Sequence, residues 1–286
     1  MSAILLLLSG ASLCFAQQPA AEPKPAQPPA APAPAQPEPA SPYNDGQVSV
    51  GLFYWMGPNR THVRTGALAT GNSDLNLPRK SVQVPGVVLT LPAGTHHALR
   101  FSYFRANRTV NTNAPAELSI FGVGYRPGDY LAVGYKLENA KISLDYLSWP
   151  FPVADRKFRV KTLWEAQYVS VKSTFNAPLN PLEDEEGTAQ AWDTKGTNWF
   201  LYPSLGMGAQ YVANRNFRWE AKGSGFVWPG RPALWDAETF VAIRGGRIEL
   251  NVGAKAFHFR TSTKQELFWR GTLMGGFVGL RWYPKL

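Results

Sequence analysis

The sequence predicts an all-β protein, a single closed antiparallel transmembrane β-barrel of about twelve strands, with ten to fourteen possible. Three observations predict this fold class. Apolar and charged residues alternate along much of the chain, no useful stretch has the period of a helix, and the predicted connections alternate between long and short. No apolar run reaches the roughly 18 residues that a membrane-spanning helix requires.

The alternation is clearest between residues 216 and 226. Apolar Phe217 and Trp219 take the odd positions there, and charged Arg218 and Glu220 take the even ones, so a strand would carry one apolar and one charged face. A barrel with its apolar face in lipid and its charged face lining the interior accounts for this pattern. The competing hypothesis is a secreted soluble β protein with the apolar face inside. This hypothesis is disfavoured because a barrel of about eight strands is already the size that side chains fill. A soluble barrel of twelve strands would be too wide for side chains to fill its interior.

The predicted connections differ in length between the two ends of the barrel. Strands are predicted at 46–57, 83–92, 96–106, 116–126, 130–138, 140–150, 157–174, 197–212, 216–226, 233–245, 246–260 and 268–283. Most connections after odd-numbered strands are long, such as 58–82 and 175–196, and the others are short, such as 93–95. The exception is a tight turn predicted at Glu138 and Asn139. Long loops at one end and tight turns at the other are typical of bacterial outer-membrane barrels.

The last predicted strand resembles the C-terminal signal by which outer-membrane barrels are recognised for insertion. Residues 275–283, Gly-Gly-Phe-Val-Gly-Leu-Arg-Trp-Tyr, combine glycine, alternating apolar residues and a closing aromatic residue, and residues 99–103, Leu-Arg-Phe-Ser-Tyr, resemble a strand motif of small barrels. The resemblance covers residues 43–286 and is to the outer-membrane β-barrel superfamily, porin-like and small outer-membrane barrels, with no specific functional family. It implies a location in the bacterial outer membrane, contact with outer-membrane lipid and lipopolysaccharide, and insertion by the barrel-insertion machinery through the C-terminal strand.

The N-terminal residues are similar to an export signal followed by a spacer. Residues 3–8 are an apolar core and Cys14-Phe15-Ala16 is a small-x-small site, so 1–16 is predicted to be a signal peptide cleaved after Ala16. Residues 17–42, almost entirely Pro, Ala, Gln and Glu, are predicted to be a disordered periplasmic spacer before the barrel at 43–286. The sharper alternative is a tether to the cell wall or to a periplasmic partner. Cys14 is the only cysteine, so the cleaved protein would have no disulfide or cysteine metal site.

Charge patterning predicts the interior of the barrel. The net charge of +9 does not indicate a nucleic acid partner, because the basic residues are spaced singly along predicted strands of an exported chain. The alternation assigns ten basic and six acidic residues to the interior face: Arg100, Lys136, Lys141, Asp145, Arg159, Lys161, Glu165, Arg218, Glu220, Lys222, Asp236, Glu238, Arg244, Glu249, Lys255 and Arg281. An aromatic girdle at the strand ends is predicted from Trp199, Trp219, Trp235, Trp269, Trp282 and Tyr283.

Two functions are compatible with such an interior. The first is a narrow channel for passive diffusion of small, preferably anionic, solutes, in which the basic residues raise the local anion concentration and set selectivity. The second is a closed structural or adhesion barrel with an ion-paired interior, acting through its outer loops and its periplasmic spacer. Twelve strands lie between the filled size and the open size of barrels, and the channel is slightly favoured.

An outer-membrane hydrolase is the third and least favoured function. The chain has four histidines, His62, His96, His97 and His258. His258 with Ser262 could form a base and nucleophile pair, but the sequence places no third group that would orient the imidazole. We therefore expect no enzyme activity, no catalytic residues, no metal site and no cofactor.

Overall fold

The structure is a computed structural model that describes residues 47–65, 73–94, 96–120, 123–149, 157–183, 189–214, 216–262 and 268–285. The predicted signal peptide and spacer, residues 1–42, lie outside the described residues. Within the described ranges, no helix is long and apolar enough to cross a membrane.

The described residues form twelve strands. They are β1 (Ser49–Thr65), β2 (Ser73–Pro92), β3 (Ala98–Asn113), β4 (Leu118–Ile120), β5 (Val123–Tyr125), β6 (Tyr130–Trp149), β7 (Phe158–Glu183), β8 (Ala189–Asn214), β9 (Phe217–Phe226), β10 (Ala233–Gly245), β11 (Ile248–Arg260) and β12 (Phe268–Trp282). Ten of them form a closed antiparallel barrel in the order β1-β12-β11-β10-β9-β8-β7-β6-β3-β2, and β4 and β5 form a separate hairpin. The barrel closes where β1 pairs with β12, from Val50 opposite Trp282 to Arg64 opposite Phe268. The predicted fold class is confirmed, and ten strands lie within the predicted range.

Two details of the predicted strand order are wrong. The turn predicted at Glu138 and Asn139 does not exist, because both residues lie within β6 and pair with Arg105 and Phe104 of β3. The segment predicted as a barrel strand at 116–126 instead supplies the β4–β5 hairpin. Much of the sequence predicted as long loops at 58–82 and 175–196 belongs to the long strands β1, β2, β7 and β8.

The two halves of the barrel have opposite polarity. We call the half that contains Ser49 and Trp282 the basal half, and the half at the other end of these strands the distal half. On β1, Leu52 and Met56 face outward in the basal half and are 64% and 53% exposed. Further along the same strand, in the distal half, outward-facing Arg60 is exposed and inward-facing Val63 is fully buried.

The long strand β6 shows the same inversion. Ser143 and Asp145 face the interior in its basal part, where Ile142 is exposed on the outside. In its distal part Leu137 is buried inside and Lys136 lies outside. The basal half therefore has a polar interior and an apolar exterior, as a membrane barrel needs. The distal half has an apolar interior and a polar exterior, as a barrel in water needs.

Exposed apolar side chains encircle the basal half, and we call them the apolar belt. They include Val50, Leu52, Tyr54, Met56, Val87, Ile142, Tyr146, Trp164, Tyr168, Trp199, Leu201, Leu205, Met207, Tyr211, Trp219, Trp235, Ile243, Leu250, Val252, Met274, Val278, Leu280 and Trp282. Such a surface in contact with water would be far larger than the apolar patches of soluble proteins. It is the surface that lipid covers in a transmembrane barrel.

A packed core, which we call the distal core, fills the interior from the level of Trp55 on β1 through the distal half. Trp55 meets Phe104 edge-on at a ring-centroid distance of 5.8 Å, and Phe104 meets Phe257 edge-on at 5.3 Å. Trp269 packs against Phe175 at 6.4 Å, and both side chains are fully buried. Full burial of each large apolar side chain contributes about 1.5–3 kcal/mol.

The β4–β5 hairpin belongs to the same core. It connects the distal ends of β3 and β6, and it contacts β1. Leu118, Ile120 and Tyr125 of the hairpin are buried in the core, and the Tyr125 hydroxyl lies 3.3 Å from the Thr194 hydroxyl of β8. The hairpin therefore packs inside the distal half and contacts both β1 and β8.

Candidate functional site

The interior of the basal half collects the charged residues that the alternation predicts. Lys136 is the exception among the predicted interior residues; the side chains of the other members of the set lie on the interior face. Lys136 lies outside in the distal half of β6, where its ammonium group is 2.6 Å from Glu138. The prediction for Lys136 is wrong because the polarity of the two faces inverts between Glu138 and Asn139, which the sequence pattern presents as a turn between two strands.

Two of the predicted girdle residues lie in the interior instead. Trp199, Trp219, Trp235 and Trp282 are on the exterior, at 37–63% exposure. Trp269 is wrongly predicted, because it lies fully buried in the distal core, where it also packs against Tyr135 at 5.7 Å.

Tyr283 is the second wrong girdle prediction. Its hydroxyl donates a hydrogen bond of 3.0 Å to Glu249 inside the barrel, and the Arg244 guanidinium lies 3.9 Å from the centre of its ring. Tyr283 lies two residues after inward-facing Arg281 and directly after outward-facing Trp282. The alternation of strand faces therefore continues to Tyr283 and places it inside, so Trp282 and Tyr283 do not both belong to an exterior girdle.

Glu249 is the centre of the first interior ion-pair cluster. Its carboxylate is fully buried and lies 2.7 Å from Arg218 Nη2 and 3.2 Å from Arg281 Nη1. With the hydrogen bond from Tyr283, three groups from β9, β12 and the C-terminal end converge on one side chain. A buried carboxylate needs such partners because removal of water from a charge costs several kcal/mol.

A second cluster links the opposite walls of the barrel. Arg100 of β3 lies 2.8 Å from Asp145 of β6, and its guanidinium is also 3.7 Å from Glu220 of β9 across the interior. Lys222 lies 3.1 Å from Glu220 and 2.9 Å from Glu238 of β10. Because these pairs alternate in sign around the interior, they form a network that holds the walls together.

A third cluster joins β6, β7, β9 and β10. The Lys141 ammonium group donates to Asp236 at 2.6 Å and lies 3.4 Å from Glu165. The Ser224 hydroxyl lies 2.5 Å from oxygens of both Glu165 and Asp236, and the Gln167 amide donates to Glu165 at 2.9 Å. One hydroxyl has one proton, so it donates to one of the two carboxylates at a time.

Little open space remains among these clusters. The cavity between them has a volume of about 60 Å³ and is lined by Arg100, Lys141, Glu165, Asp236, Glu238 and Lys255, among others. That volume accommodates a few water molecules, which polar partners on every side would hold. The interior of the basal half is therefore a filled, ion-paired space, and the distal core lies directly beyond it.

The histidines do not form a catalytic arrangement in the described ranges. His258 Nδ1 is 2.7 Å from the Thr272 hydroxyl, and its ring stacks on Trp235 on the outside of the barrel. The Ser262 hydroxyl donates to the carbonyl of Gly230, at 3.3 Å. His97 Nδ1 accepts a hydrogen bond from the Leu147 backbone at the basal end. Across the described ranges, no group of three or more His, Cys, Asp or Glu side chains could hold a metal ion.

No protein-family model and no curated protein matches the chain. Among solved structures, the outer membrane protease OmpT from Escherichia coli matches with a TM-score of 0.55 and 9% identity, over 85% of this chain and 98% of that chain. Ail of Yersinia pestis, in complex with the heparin analogue sucrose octasulfate, matches with a TM-score of 0.35 and 10% identity, over 82% and 99% of the two chains. The Pseudomonas putida toluene transporter TodX matches with a TM-score of 0.34 and 8% identity, over 87% and 93%.

The likeness to OmpT shows a shared fold and nothing about activity. Together with the closed barrel, it shows that this chain has the closed antiparallel β-barrel fold of that outer-membrane protein. The resemblance inferred from the sequence is confirmed for the fold alone.

Proposed function

We propose that this chain is a closed outer-membrane β-barrel that acts through the surfaces it presents outside the bilayer, and that it is not a channel. The single observation that carries the proposal is the distal core. Trp55, Phe175 and Trp269 fill the interior at the level where a channel needs a water-filled passage, and the β4–β5 hairpin packs in the same core. Of the two functions predicted from the sequence, the geometry favours the closed structural or adhesion barrel.

The polarity of the exterior supports a specific placement in the membrane. The apolar belt of the basal half would lie in the bilayer, and the distal half would stand in water on the cell surface. The short β8–β9 and β10–β11 connections, at residues 215–216 and 246–247, lie at the basal end. With tight turns on the periplasmic side, the barrel end that carries Ser49 and Trp282 would face the periplasm.

In this proposal the interior charges have a structural role. A row of basic residues favours anions only where water reaches them, whereas Arg100, Arg218 and Lys222 are engaged by carboxylates at 2.7–3.8 Å. The ion pairs would keep the walls of the basal half in register, in place of the apolar core of a soluble barrel.

The terminal segments would serve export and attachment. We propose that residues 1–16 direct export and that residues 17–42 bridge part of the periplasm toward the cell wall or a partner. Residues 275–283 would be recognised by the barrel-insertion machinery. A chain with the last aromatic residues substituted, Trp282→Ala with Tyr283→Ala, should accumulate outside the outer membrane; normal amounts in outer-membrane fractions would contradict this role.

The decisive experiment is a planar-bilayer recording on the refolded protein, with a salt gradient across the membrane. We expect no steady openings from a protein that protease protection shows to be inserted. Steady anion-preferring openings would overturn the proposal, and the selectivity predicted for a channel would then shift toward cations in the double variant Arg218→Ala and Lys222→Ala. Silence in both proteins, with a loss of thermal stability in the double variant, is the result that the closed barrel predicts.

A further inference from the structure

Three arginines form a patch on the exterior of the distal half, and we call Arg60, Arg260 and Arg270 the arginine patch. Arg260 of β11 is directly opposite Arg270 of β12 in the ladder. Arg270 in turn is opposite His62 of β1, and Arg60 lies two residues from His62 on the same outward face. Three adjacent strands therefore bring three guanidinium groups to one area of the wall.

Like charges in this arrangement disfavour the free protein. Identical charges directly opposite on neighbouring strands are destabilising. In addition, the Arg260 Nε atom is buried and has no hydrogen-bond partner among the described residues. A surface that holds several cations together and leaves a donor unused is suited to an anion, since guanidinium groups bind phosphate by paired, charge-assisted hydrogen bonds.

The height of the patch identifies the anion. Met274 is an exposed apolar belt residue on β12, and Arg270 lies four residues from it, toward the distal end of the strand. That separation is about 14 Å along the strand, or about 10 Å along the membrane normal for a strand tilted by about 45°.

Trp235 marks the same boundary on β10. It is half-exposed, it stacks on His258, and Arg260 follows His258 by two residues. Tryptophan concentrates at the interface between hydrocarbon and headgroups. Arginine side chains just above this level extend toward the headgroups and not into bulk solution.

We propose that the arginine patch binds the phosphate groups of lipids in the outer leaflet. The inference rests on the proposed placement of the apolar belt in the bilayer, and it is independent of whether the interior is closed. Bound lipid would neutralise the opposed arginines and attach the distal half to the membrane surface along β1, β11 and β12.

The test uses the full-length protein refolded into phosphatidylcholine vesicles that contain a phosphorylated glucosamine-based glycolipid or its dephosphorylated form. Native mass spectrometry after extraction measures how much glycolipid the protein retains. The test variant is Arg60→Gln with Arg260→Gln and Arg270→Gln. The matched control is Arg105→Gln with Lys136→Gln and Lys172→Gln, which removes the same charge from the exterior of β3, β6 and β7.

We expect the wild type and the control to retain the phosphorylated glycolipid within about twofold of each other. The patch variant should retain at most about a tenth as much, because each charge-assisted hydrogen bond contributes on the order of a tenfold step in affinity. Circular dichroism verifies that each variant folds, and the single variant Arg270→Gln replaces the triple variant if it does not.

Each contrary outcome identifies what fails. Equal loss in the patch and control variants would mean non-specific charge attraction, and equal retention of the dephosphorylated glycolipid would exclude phosphate recognition; either result overturns the inference. Displacement of the glycolipid by inorganic phosphate at equal concentration would show that the patch binds a soluble anion instead. Flotation of the vesicles in a density gradient tests the membrane placement separately. Failure of the wild type to float with either kind of vesicle would overturn that placement, whereas loss of glycolipid retention alone would not.

Discussion

The basal and distal halves of this barrel share the same strands and reverse their chemistry. In the basal half, Arg218 and Glu249 form an ion pair inside while Leu52 is exposed outside. In the distal half, Phe175 and Trp269 pack inside and the outward positions are polar. The difference shows that an antiparallel ladder has no preferred inner face, because the backbone hydrogen bonds are the same in both halves. The environment on each side of the wall decides which residues the two faces carry.

Two different sources of stability follow from this reversal. The distal half is stabilised as a soluble protein is, by removal of apolar surface from water. The basal half gains little from that effect inside, and its interior depends on complete pairing of charges, whose desolvation cost must be offset by geometry.

The largest effect is expected for Trp269→Ala in the distal core. Removal of a fully buried aromatic side chain leaves a cavity and should lower the free energy of unfolding by about 3–5 kcal/mol. The measurement is urea unfolding in lipid vesicles followed by circular dichroism. Trp282→Ala, on the exterior that the proposed placement puts in lipid, is the matched control and should cost clearly less, because lipid would fill the vacated space. Equal losses would mean that the distal core does not stabilise the fold.

The next effect is expected for Glu249→Ala in the basal interior. The change leaves Arg281 buried without the carboxylate 3.2 Å away and should cost about 3 kcal/mol. Glu138→Ala breaks an ion pair with Lys136 on the exterior of the distal half and should cost less than about 1 kcal/mol. The same unfolding titration compares the two variants. If Glu249→Ala were as stable as Glu138→Ala, the buried ion pairs around Glu249 would not be required for the stability of the fold.

An arginine introduced on the exterior should report the depth of each position. Leu52→Arg in the apolar belt should cost about 2–4 kcal/mol, the value for a charge near the middle of the bilayer. Thr109→Arg, outward-facing on the distal half of β3, should change the free energy of unfolding by less than about 0.5 kcal/mol. If both substitutions were neutral, the basal half would not lie in lipid, and the comparison between the halves would lose its basis.

The smallest effect is expected at the level where the polarity reverses on β1. A Cβ atom at Gly57 would overlap the backbone carbonyl of Met274, so β1 and β12 approach each other there more closely than an alanine allows. Gly57→Ala should cost about 1–3 kcal/mol through displacement of the seam. Thermal unfolding followed by circular dichroism measures the effect. Gly124→Ala, where a Cβ would meet nothing within 4 Å, should be neutral in the same measurement. A neutral Gly57→Ala would show that the seam is more compliant than this contact implies.

The last four predicted strands match β9 to β12 to within two residues at each end. Most residues of β9 to β12 lie in the basal half, so one simple alternation describes the basal parts of these strands, and the inward placement of Arg218 and Lys255 follows from it. The apolar side of that alternation also predicted the exposed faces of Trp219 and Trp282.

The same reasoning failed where a strand crosses from one half to the other. In β6 the charged side chains change faces between Glu138 and Asn139, and a change of phase by one residue is the usual mark of a turn. Trp269 was misplaced for the same reason, since an apolar residue in the distal half belongs inside. A period of two gives the spacing of the faces, and it does not reveal that the polarity of the two faces inverts partway along a strand.

The pairing of β1 with β12 bears on how long the folded barrel lasts. In the basal half each strand has a hydrogen-bonded neighbour on both sides, so this part of the sheet has no edge from which strands could detach one at a time. Unfolding there must open a ladder between segments more than 200 residues apart in the chain, from Val50 to Trp282. We expect the lifetime of the protein to be set by the height of that barrier and not by the equilibrium free energy. Unfolding rates that change with Gly57→Ala, at unchanged refolding rates, would locate the barrier at this seam.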